Sequence, residues 1–227
     1  MNYIGSKFSI LDFIDDAIND FAKPKNSNIT LCDIFSGTGS VGKYFKRKGY
    51  NVISNDIQYY SYITAKHFIE NNEELKFEKL NEEGIEPFEY LNKLEGTEGF
   101  IYKNYSLAGT QGQEYERQYF SDENAKKIDA IRLKIEEWKE SKKIKENEYN
   151  FLIASLIESA DKVANTASVY EAFLKKLKAS ASKSLELKPI EIIVTTEDRT
   201  YKVYNENCND LVKHISGDIL YLDPPYN

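Results

Sequence analysis

The feature that most constrains the fold of this 227-residue chain is a glycine-rich turn between two short β-rich runs. Residues 29–35, ITLCDIF, predict a buried strand, the turn occupies 36–40, and residues 41–48 predict a short helix. Residues 50–54, YNVIS, predict a second strand, and a helical pattern follows over 58–70. Strand–helix–strand–helix with short connections is typical of a doubly wound α/β sheet.

The α/β alternation stops after residue 70. Residues 71–98 are acidic and predict a loop, whereas 122–140 and 146–163 carry long helical patterns. Ser168 and Glu171, three positions apart, form a capping-box pattern that predicts another helix over 168–178. The sequence ASASKS, at 179–184, predicts a flexible joint.

The α/β pattern then returns. Residues 190–195 and 200–204 predict a strand pair, 208–215 a short helix, and 218–223 a strand that ends in two prolines.

The expected organisation is therefore an α/β core that carries an insertion. Residues 1–70 and 190–227 would form the core, and 71–189 would form a largely helical insertion.

Composition excludes several classes of protein. The mean hydropathy is −0.57, no run approaches the ~18 apolar residues of a membrane span, and the N-terminus does not resemble a signal peptide. Two cysteines and two histidines exclude a disulfide framework and a four-ligand zinc site, and favour a reducing cytoplasm. Residues 70–98 hold ten glutamates and three lysines, which equals the whole net charge of −7, so global acidity does not argue against DNA binding.

The glycine turn by itself fits more than one kind of site. Gly37, Gly39 and Gly42 satisfy the dinucleotide pattern G-x-G-x-x-G, and Gly37, Gly42 and Lys43 satisfy most of a P-loop. The P-loop pattern fails at Tyr44, where a Ser or Thr hydroxyl should hold magnesium. A glycine turn without any ligand is the remaining alternative.

An acid after the second strand favours a nucleoside ligand. Asp56 lies 19 positions after Gly37, where a carboxylate can accept hydrogen bonds from both hydroxyls of a ribose. NAD and S-adenosylmethionine (SAM) both carry such a ribose. Asp33 favours SAM, because a carboxylate beside the turn repels a pyrophosphate but tolerates the methionine ammonium and sulfonium.

The terminal sequence Asp223-Pro224-Pro225-Tyr226 follows a predicted strand and suits transfer to an exocyclic amine. The Asp223 carboxylate and the Pro224 carbonyl can accept the two N–H bonds of the amine and stabilise the positive charge that develops there. The prolines fix the backbone, and Tyr226 offers a face for a planar base that has left the double helix.

These segments together resemble the Dam-like class of amino-group-specific DNA adenine methyltransferases, in particular its restriction–modification members. The matching motifs are NYIGSK at 2–7, DIFSGTGSVG at 33–42, SND at 54–56, NYS at 104–106, ERQYFSDENAKKIDAIR at 116–132, KVANTASVY at 162–170 and YLDPPYN at 221–227. The resemblance covers nearly the whole chain and implies a Rossmann-like SAM methyltransferase sheet.

The resemblance also assigns roles to individual residues. Asp223 to Tyr226 would hold the target adenine, and Asp56 would hold the ribose of SAM. Asn207 and Cys208 align with the position near the cofactor adenine, where an amide replaces the usual carboxylate. The remaining cofactor residues are Tyr3 and Lys7 at the methionine end, Gly5 for clearance, Asp33, and Phe35, Ser36, Gly37 and Gly39 along the turn.

Basic residues of the insertion are candidate DNA contacts. Lys175, Lys176 and Lys178 lie in a locally basic stretch, which is either a solvated face or a phosphate-binding surface. Arg117 and Arg132 lie in the region where this class tends to carry target recognition.

The expected function is methylation of adenine in double-stranded DNA, which protects the host against a cognate restriction endonuclease. An RNA adenine or protein-amide methyltransferase is an alternative, because the same acceptors suit any planar amine. A non-catalytic SAM- or DNA-binding module is another.

The sequence also predicts an incomplete enzyme, because the family continues beyond the D-P-P-Y strand. The outer edge of strand 219–223, with Ile219, Leu220 and Leu222, would then lack its cover, and a missing C-terminal half or a partner chain would supply it. We expect this chain alone to methylate poorly, and to gain activity when the polypeptide expected after Asn227 is added. Full turnover by the 227 residues alone would contradict this expectation.

Overall fold

A computed structural model of the chain describes residues 7–22, 28–167, 174, 176–195 and 198–224. The elements in chain order are α1 (Leu11–Ala17), β1 (Thr30–Asp33), α2 (Ser40–Arg47), β2 (Asn51–Asn55), α3 (Tyr59–Ala65), α4 (Glu78–Glu82), α5 (Pro87–Lys93), α6 (Phe100–Tyr105), α7 (Asp122–Glu140), α8 (Glu146–Val163), β3 (Tyr201–Tyr204), α9 (Cys208–Leu211) and β4 (Ile219–Tyr221). Wider helical turns at Ile18–Ala22 and Lys66–Glu70 extend α1 and α3.

The chain divides into two compact units. The α/β unit contains Gly5–Glu74 and Glu191–Asn227, and Leu75–Ile190 form a helical unit. All four strands belong to the α/β unit, and helices α4 to α8 belong to the helical unit.

The sheet is parallel throughout, with the strand order β3-β2-β1-β4. The predicted parallel α/β arrangement is therefore confirmed. Within this sheet, β4 pairs with β1 of the glycine turn and aligns Tyr221 with Asp33.

The two central strands, β1 and β2, are largely buried, as expected for the middle of a parallel sheet. Every residue of β2 is buried, and so are Leu31, Cys32 and Asp33 of β1. Val41 and Phe45 of α2 are also buried.

One buried cation also fixes α2. The Lys46 Nζ atom donates hydrogen bonds to the carbonyls of Phe68 and Asn71, which closes the end of the helical turn after α3. Burial lowers the pKa of Lys46 to about 8.

The strand predicted over 190–195 is wrong. The described residues 191–195 form no ladder, and β3 pairs in parallel with β2 instead of forming a hairpin. The side chain of Asn72 explains the difference, because its Oδ1 accepts from the Thr195 N–H at 2.8 Å and its Nδ2 donates to the Thr195 carbonyl. A side-chain amide therefore binds the backbone groups that a strand partner would have used.

The loop predicted over 71–98 is also wrong, because this stretch contains α4 and α5. Leu80 and Leu91 are fully buried, one from each helix. Pro87 is in the first turn of α5, and the Glu86 carboxylate accepts from the Glu89 N–H as its N-cap. One glutamate of this acidic stretch, Glu86, therefore caps a helix.

The two long helices, α7 and α8, have the bounds that their patterns predict. Ser121 caps α7 by accepting a hydrogen bond from the Asn124 N–H. The capping-box residues Ser168 and Glu171 lie outside the described residues. The short helix predicted over 208–215 ends at Leu211.

The segment predicted as a flexible joint at 179–184 is bound to the helical unit. Asn124, which is buried on α7, donates from Nδ2 to the carbonyls of Ala181 and Lys183, and its Oδ1 accepts from the Leu185 N–H. Ala181 is fully buried. Small polar residues here fit a close approach to α7, so the joint is not a free linker.

Strand β4 lies at one edge of the sheet. Leu220 is 54% exposed and Leu222, which follows the strand, is 56% exposed. This apolar surface is the one that the sequence predicted to lack cover. Among the described residues, no helix is both long and apolar enough to cross a bilayer.

We predict that His67 makes the α/β unit sensitive to acid. His67 is buried, and its Nε2 lies 2.8 Å from the Glu191 carbonyl, to which it donates. Burial lowers the pKa of His67 to about 4. Between pH 6.5 and 4 the unfolded chain binds a proton at His67 that the folded chain does not. His67 by itself therefore lowers the free energy of unfolding as pH falls, by up to about 3 kcal/mol.

The measurement is urea unfolding followed by circular dichroism from pH 7 to pH 4. His67→Gln keeps a donor for the Glu191 carbonyl, so its free energy of unfolding relative to wild type should rise by up to about 3 kcal/mol from pH 7 to pH 4, whereas the difference between wild type and the surface variant His214→Gln should stay nearly constant. Equal pH dependence in wild type and His67→Gln would contradict the prediction.

Candidate cofactor and substrate site

The sequence-predicted acids lie at the carboxyl ends of neighbouring strands. Asp33 is the last residue of β1, Asp56 follows β2 directly, and Asp223 lies two residues after β4. Because the strands are parallel, these ends share one edge of the sheet, which is where α/β sheets bind ligands. All three acids belong to the α/β unit.

The glycines of the turn are required for two different reasons. Gly37 and Gly39 have φ values of +50° and +71°, in the left-handed region that favours glycine. At Gly42, a Cβ atom would lie 2.5 Å from the Cδ1 of Ile69 and 3.0 Å from the Oγ of Ser54. The first two glycines therefore shape the turn, and the third allows α2 to pack closely on the sheet.

Asp56 is bound to the turn by its own carboxylate. Its Oδ2 accepts from the Gly37 N–H at 2.7 Å, and its Oδ1 accepts from the Gln58 N–H at 2.8 Å. An N–H of a glycine turn is the group that binds phosphate in a P-loop, and here a carboxylate occupies it. This charge disfavours a phosphate ligand and leaves lone pairs on Asp56 for hydroxyl donors.

Two buried polar atoms next to the turn have no hydrogen-bond partner among the described residues. They are the Oδ1 of Asp33, which is 1% exposed, and the hydroxyl of Ser36. Buried polar groups in folded proteins are nearly always paired, so these orphans fit a ligand that brings donors. The Asp33 carboxyl accepts a backbone hydrogen bond from Phe35, yet burial raises its pKa to about 7.

Asp223 is ion-paired with Lys7. The Lys7 Nζ lies 2.6 Å from the Asp223 Oδ2, and their side chains are 18% and 25% exposed. The resemblance assigns Lys7 to the methionine end of SAM, whereas this contact joins it to the acid of the D-P-P motif. Pro224 is exposed beside it. The other predicted residues of these motifs, Tyr3, Gly5, Pro225 and Tyr226, lie outside the described residues.

Phe35 and Cys208 lie in one apolar cluster of the α/β unit. Both pack against a buried core cluster formed by Cys32, Ile34, Ile53 and Leu211. Asn207 is exposed, and its Oδ1 accepts from the Asn209 N–H as the N-cap of α9. The amide of Asn207 therefore has a structural role, which leaves its predicted contact with the cofactor adenine a prediction.

A positioning residue that the sequence did not single out is Asn55. It is 1% exposed, its Nδ2 donates to the carbonyls of Ile34 and Glu206 at 3.1 Å, and its Oδ1 accepts from the Glu206 N–H. Its backbone carbonyl accepts from the Ser36 N–H. Asn55 thus ties the turn after β1 to the segment after β3, and Asp56 follows directly.

A second asparagine supports the same loop. The Nδ2 of Asn205 donates to the carbonyls of Asp56 and Ile57, at 2.7 and 3.0 Å. The signal available in the sequence was the pair of asparagines, one inside SND and one after β3, at predicted strand ends.

The candidate DNA-contacting arginines are exposed on the helical unit. The Nη1 of Arg117 donates to the Asn104 carbonyl, and Arg132 lies 3.6 Å from the Glu136 carboxylate on α7. Each has a local partner, although exposed contacts of this kind are weak enough to exchange.

The candidate lysines differ in their contacts. The Nζ of Lys178 donates to the Thr166 carbonyl, and Lys176 is exposed. Lys175 lies outside the described residues. The phosphate-binding role of these lysines therefore stays a prediction.

A parallel sheet with a glycine turn and carboxylates at the ends of its central strands defines a nucleoside-binding α/β protein. The family model for the D12 class of N6 adenine-specific DNA methyltransferases matches residues 3–227. The chain therefore belongs to this family, which confirms the resemblance seen in the motifs. SAM is the methyl donor that the family implies, and the orphaned Asp33 and Ser36 atoms fit it.

Relatives of this chain are named Type II methyltransferases or modification methylases. Type II methyltransferase M.NlaIII of Neisseria lactamica is 48% identical over 227 residues, which cover all of this chain and 64% of that protein. Type II methyltransferase M.FokI of Planomicrobium okeanokoites is 42% identical, and modification methylase LlaI of Lactococcus lactis subsp. lactis is 40% identical. The chain spans 34% and 36% of these two proteins. No solved structure matches the chain.

We predict that Asn55→Ala weakens SAM binding without removing a ligand contact. The substitution leaves the carbonyls of Ile34 and Glu206 without their donor, so the turn beside Asp56 loses its support. We expect roughly tenfold weaker affinity, which corresponds to about 1.4 kcal/mol, measured by calorimetry. Asn209→Ala, on exposed α9, is the matched control. Unchanged affinity in Asn55→Ala would show that Asn55 does not position the site.

Proposed function

We propose that the protein transfers a methyl group from SAM to the exocyclic N6 amino group of adenine in double-stranded DNA. It acts at a specific sequence, as the modification enzyme of a restriction–modification system with a cognate restriction endonuclease. The observation that carries the proposal is the common sheet edge of Asp33, Asp56 and Asp223, which joins a cofactor site to the D-P-P motif. Family membership and the names of the relatives support it.

The cofactor lies at the glycine turn of a Rossmann-like methyltransferase sheet. When bound, SAM supplies an electrophilic methyl group on a sulfonium centre. Asp56 accepts hydrogen bonds from the ribose hydroxyls, and the orphaned atoms of Asp33 and Ser36 bind the polar methionine end. Gly37 and Gly39 keep side chains away from this end of the turn.

Asp223 and Pro224 hold the target amine. A flipped adenine donates its two amino N–H bonds to the Asp223 carboxylate and the Pro224 carbonyl. These acceptors draw the nitrogen lone pair out of conjugation and stabilise the positive charge that develops on it. Proline fixes the backbone of this acceptor, and Tyr226 stacks on the base.

Lys7 positions Asp223 before the substrate arrives. The ion pair fixes the orientation of the carboxylate. An incoming amino group must share or replace this contact, since the Asp223 Oδ2 already accepts from the Lys7 Nζ. Lys7 is therefore a positioning residue for the acceptor.

The helical unit recognises the DNA target. Arg117 and Arg132 are its exposed arginines with the reach to contact base edges or phosphates, and Lys176 and Lys178 add phosphate contacts. A further polypeptide segment or a partner chain covers Leu220 and Leu222 beside β4, since both are more than half exposed. The free thiols Cys32 and Cys208 fit a cytoplasmic enzyme.

We predict that Asp223→Asn abolishes methyl transfer while SAM still binds. The amide presents an N–H to the amine, removes the negative charge and loses at least about 10²-fold in rate. The measurement is transfer of tritium from methyl-labelled SAM to double-stranded DNA by the protein in its full natural length. Asp56→Asn should instead weaken SAM binding.

Asp218→Asn is the matched control. Asp218 precedes β4 at the opposite end of the strand, where its Oδ2 accepts from the Thr30 N–H, a role that an amide oxygen can keep. Label that appears in RNA and not in DNA would show that double-stranded DNA is not the substrate. Full DNA methylation by Asp223→Asn would overturn the acceptor role.

A further inference from the structure

Asp33 is the most deeply buried acid at the sheet edge. It is 1% exposed, whereas Asp56 and Asp223 are both partly exposed. Its Oδ1 has no hydrogen-bond partner among the described residues, although its carboxyl accepts one backbone bond from Phe35. A carboxylate in this state is costly for the fold, because an unpaired buried charge is neither solvated nor neutralised.

The charged groups around Asp33 make this cost larger. The carboxylates of Asp56 after β2 and Asp223 after β4 both disfavour a negative charge on Asp33, and the Lys7 ammonium only partly offsets them. Ser54 and Tyr221 are its register neighbours on the flanking strands.

The helix packed on β1 does not compensate this charge. Its Lys43 lies over the Phe68 ring, and its Lys46 donates to backbone carbonyls after α3. In the free protein, burial first and then the two neighbouring carboxylates raise the pKa of Asp33 to about 7. The acid is therefore partly protonated at neutral pH.

We propose that Asp33 distinguishes the methyl donor from its demethylated product, because it gives up its proton when the donor, with its additional sulfonium cation, binds. This inference rests on the proposed function. The O–H bond of the Asp33 carboxyl breaks, the electron pair stays on the oxygen, and the proton passes to the buffer. The resulting carboxylate then faces a ligand cation in a site of low dielectric, where the attraction is large.

The two ligands differ by one charge. SAM carries an ammonium, a sulfonium and a carboxylate, for a net charge of about +1, whereas S-adenosylhomocysteine lacks the sulfonium and has no net charge. A group that ionises in response to positive charge therefore binds the donor more tightly than the product. Since only the ionised form of Asp33 favours the sulfonium, affinity for SAM should rise about tenfold from pH 6 to pH 8, and affinity for the product should rise less.

The same residue should reduce the stability of the free protein. Between pH 3.8 and 7 the unfolded chain has lost the Asp33 proton and the folded chain retains it, so stability falls as pH rises through this window. Asp33→Asn keeps an acceptor for the Phe35 N–H and removes the charge. We expect a higher Tm at pH 8 for this variant than for wild type, together with weaker SAM binding.

The test is calorimetry of the full-length protein at pH 7 in two buffers that differ in ionisation enthalpy, which counts the protons released. The ligands are SAM and S-adenosylhomocysteine. With SAM, wild type should release about half a proton more than Asp33→Asn, and the difference should be smaller with the product. Asp218→Asn, an acid-to-amide change at the other end of β4, should release as many protons as wild type.

Equal proton release by wild type and Asp33→Asn would overturn the inference. The inference would also be overturned if the affinities of wild type for SAM and for the product had the same pH dependence. This measurement needs no variant, so it remains informative if Asp33→Asn folds or binds poorly. Failure of wild type to bind SAM at all would overturn the proposed function as well. Binding without Asp33-dependent proton release overturns only the role of Asp33.

Discussion

The pairing of β1 with β2 on one side and β4 on the other is the interaction on which the site depends. It joins residues 30–33 to a strand that lies almost 190 positions further along the chain. Parallel pairing brings the ends of all three strands to one edge, so three acids from distant segments share one electrostatic environment. No local element could do this, so the roles proposed for these acids depend on the folded sheet.

Local signals in the sequence predicted the elements that local forces determine. The glycine turn requires left-handed backbone at Gly37 and Gly39, and the long helices α7 and α8 follow their apolar period, so both were predictable. Two of the errors arose where a distant side chain binds the backbone. Asn72 binds Thr195, and Asn124 binds 181–185. An asparagine in a sequence gives no sign of which remote backbone it will bind.

The candidate site shows the same division. Asp56 and Asp223 were identified because each follows a predicted strand, and strand ends in parallel sheets bind ligands. Asn55 was not identified, because its role depends on partners 21 and 151 positions away. The ion pair of Lys7 with Asp223 was likewise hidden, since it joins the two ends of the chain. Sequence patterns thus predict candidate reactive groups at strand ends, but they do not predict the side chains that hold these groups in place.

Asp33 differs from the other buried ionisable groups of the α/β unit in how far hydrogen bonds compensate its burial. Lys46 donates to two carbonyls and His67 to one, so each buried group is compensated by a bond that holds the unit together. The Asp33 carboxyl has a backbone donor on one side only, and two carboxylates oppose its charge. An asparagine at this position would give a more stable free protein, because its amide keeps the backbone hydrogen bond without the buried charge. The acid is therefore explained by what it gains when a cation arrives, and the free protein is less stable as a consequence.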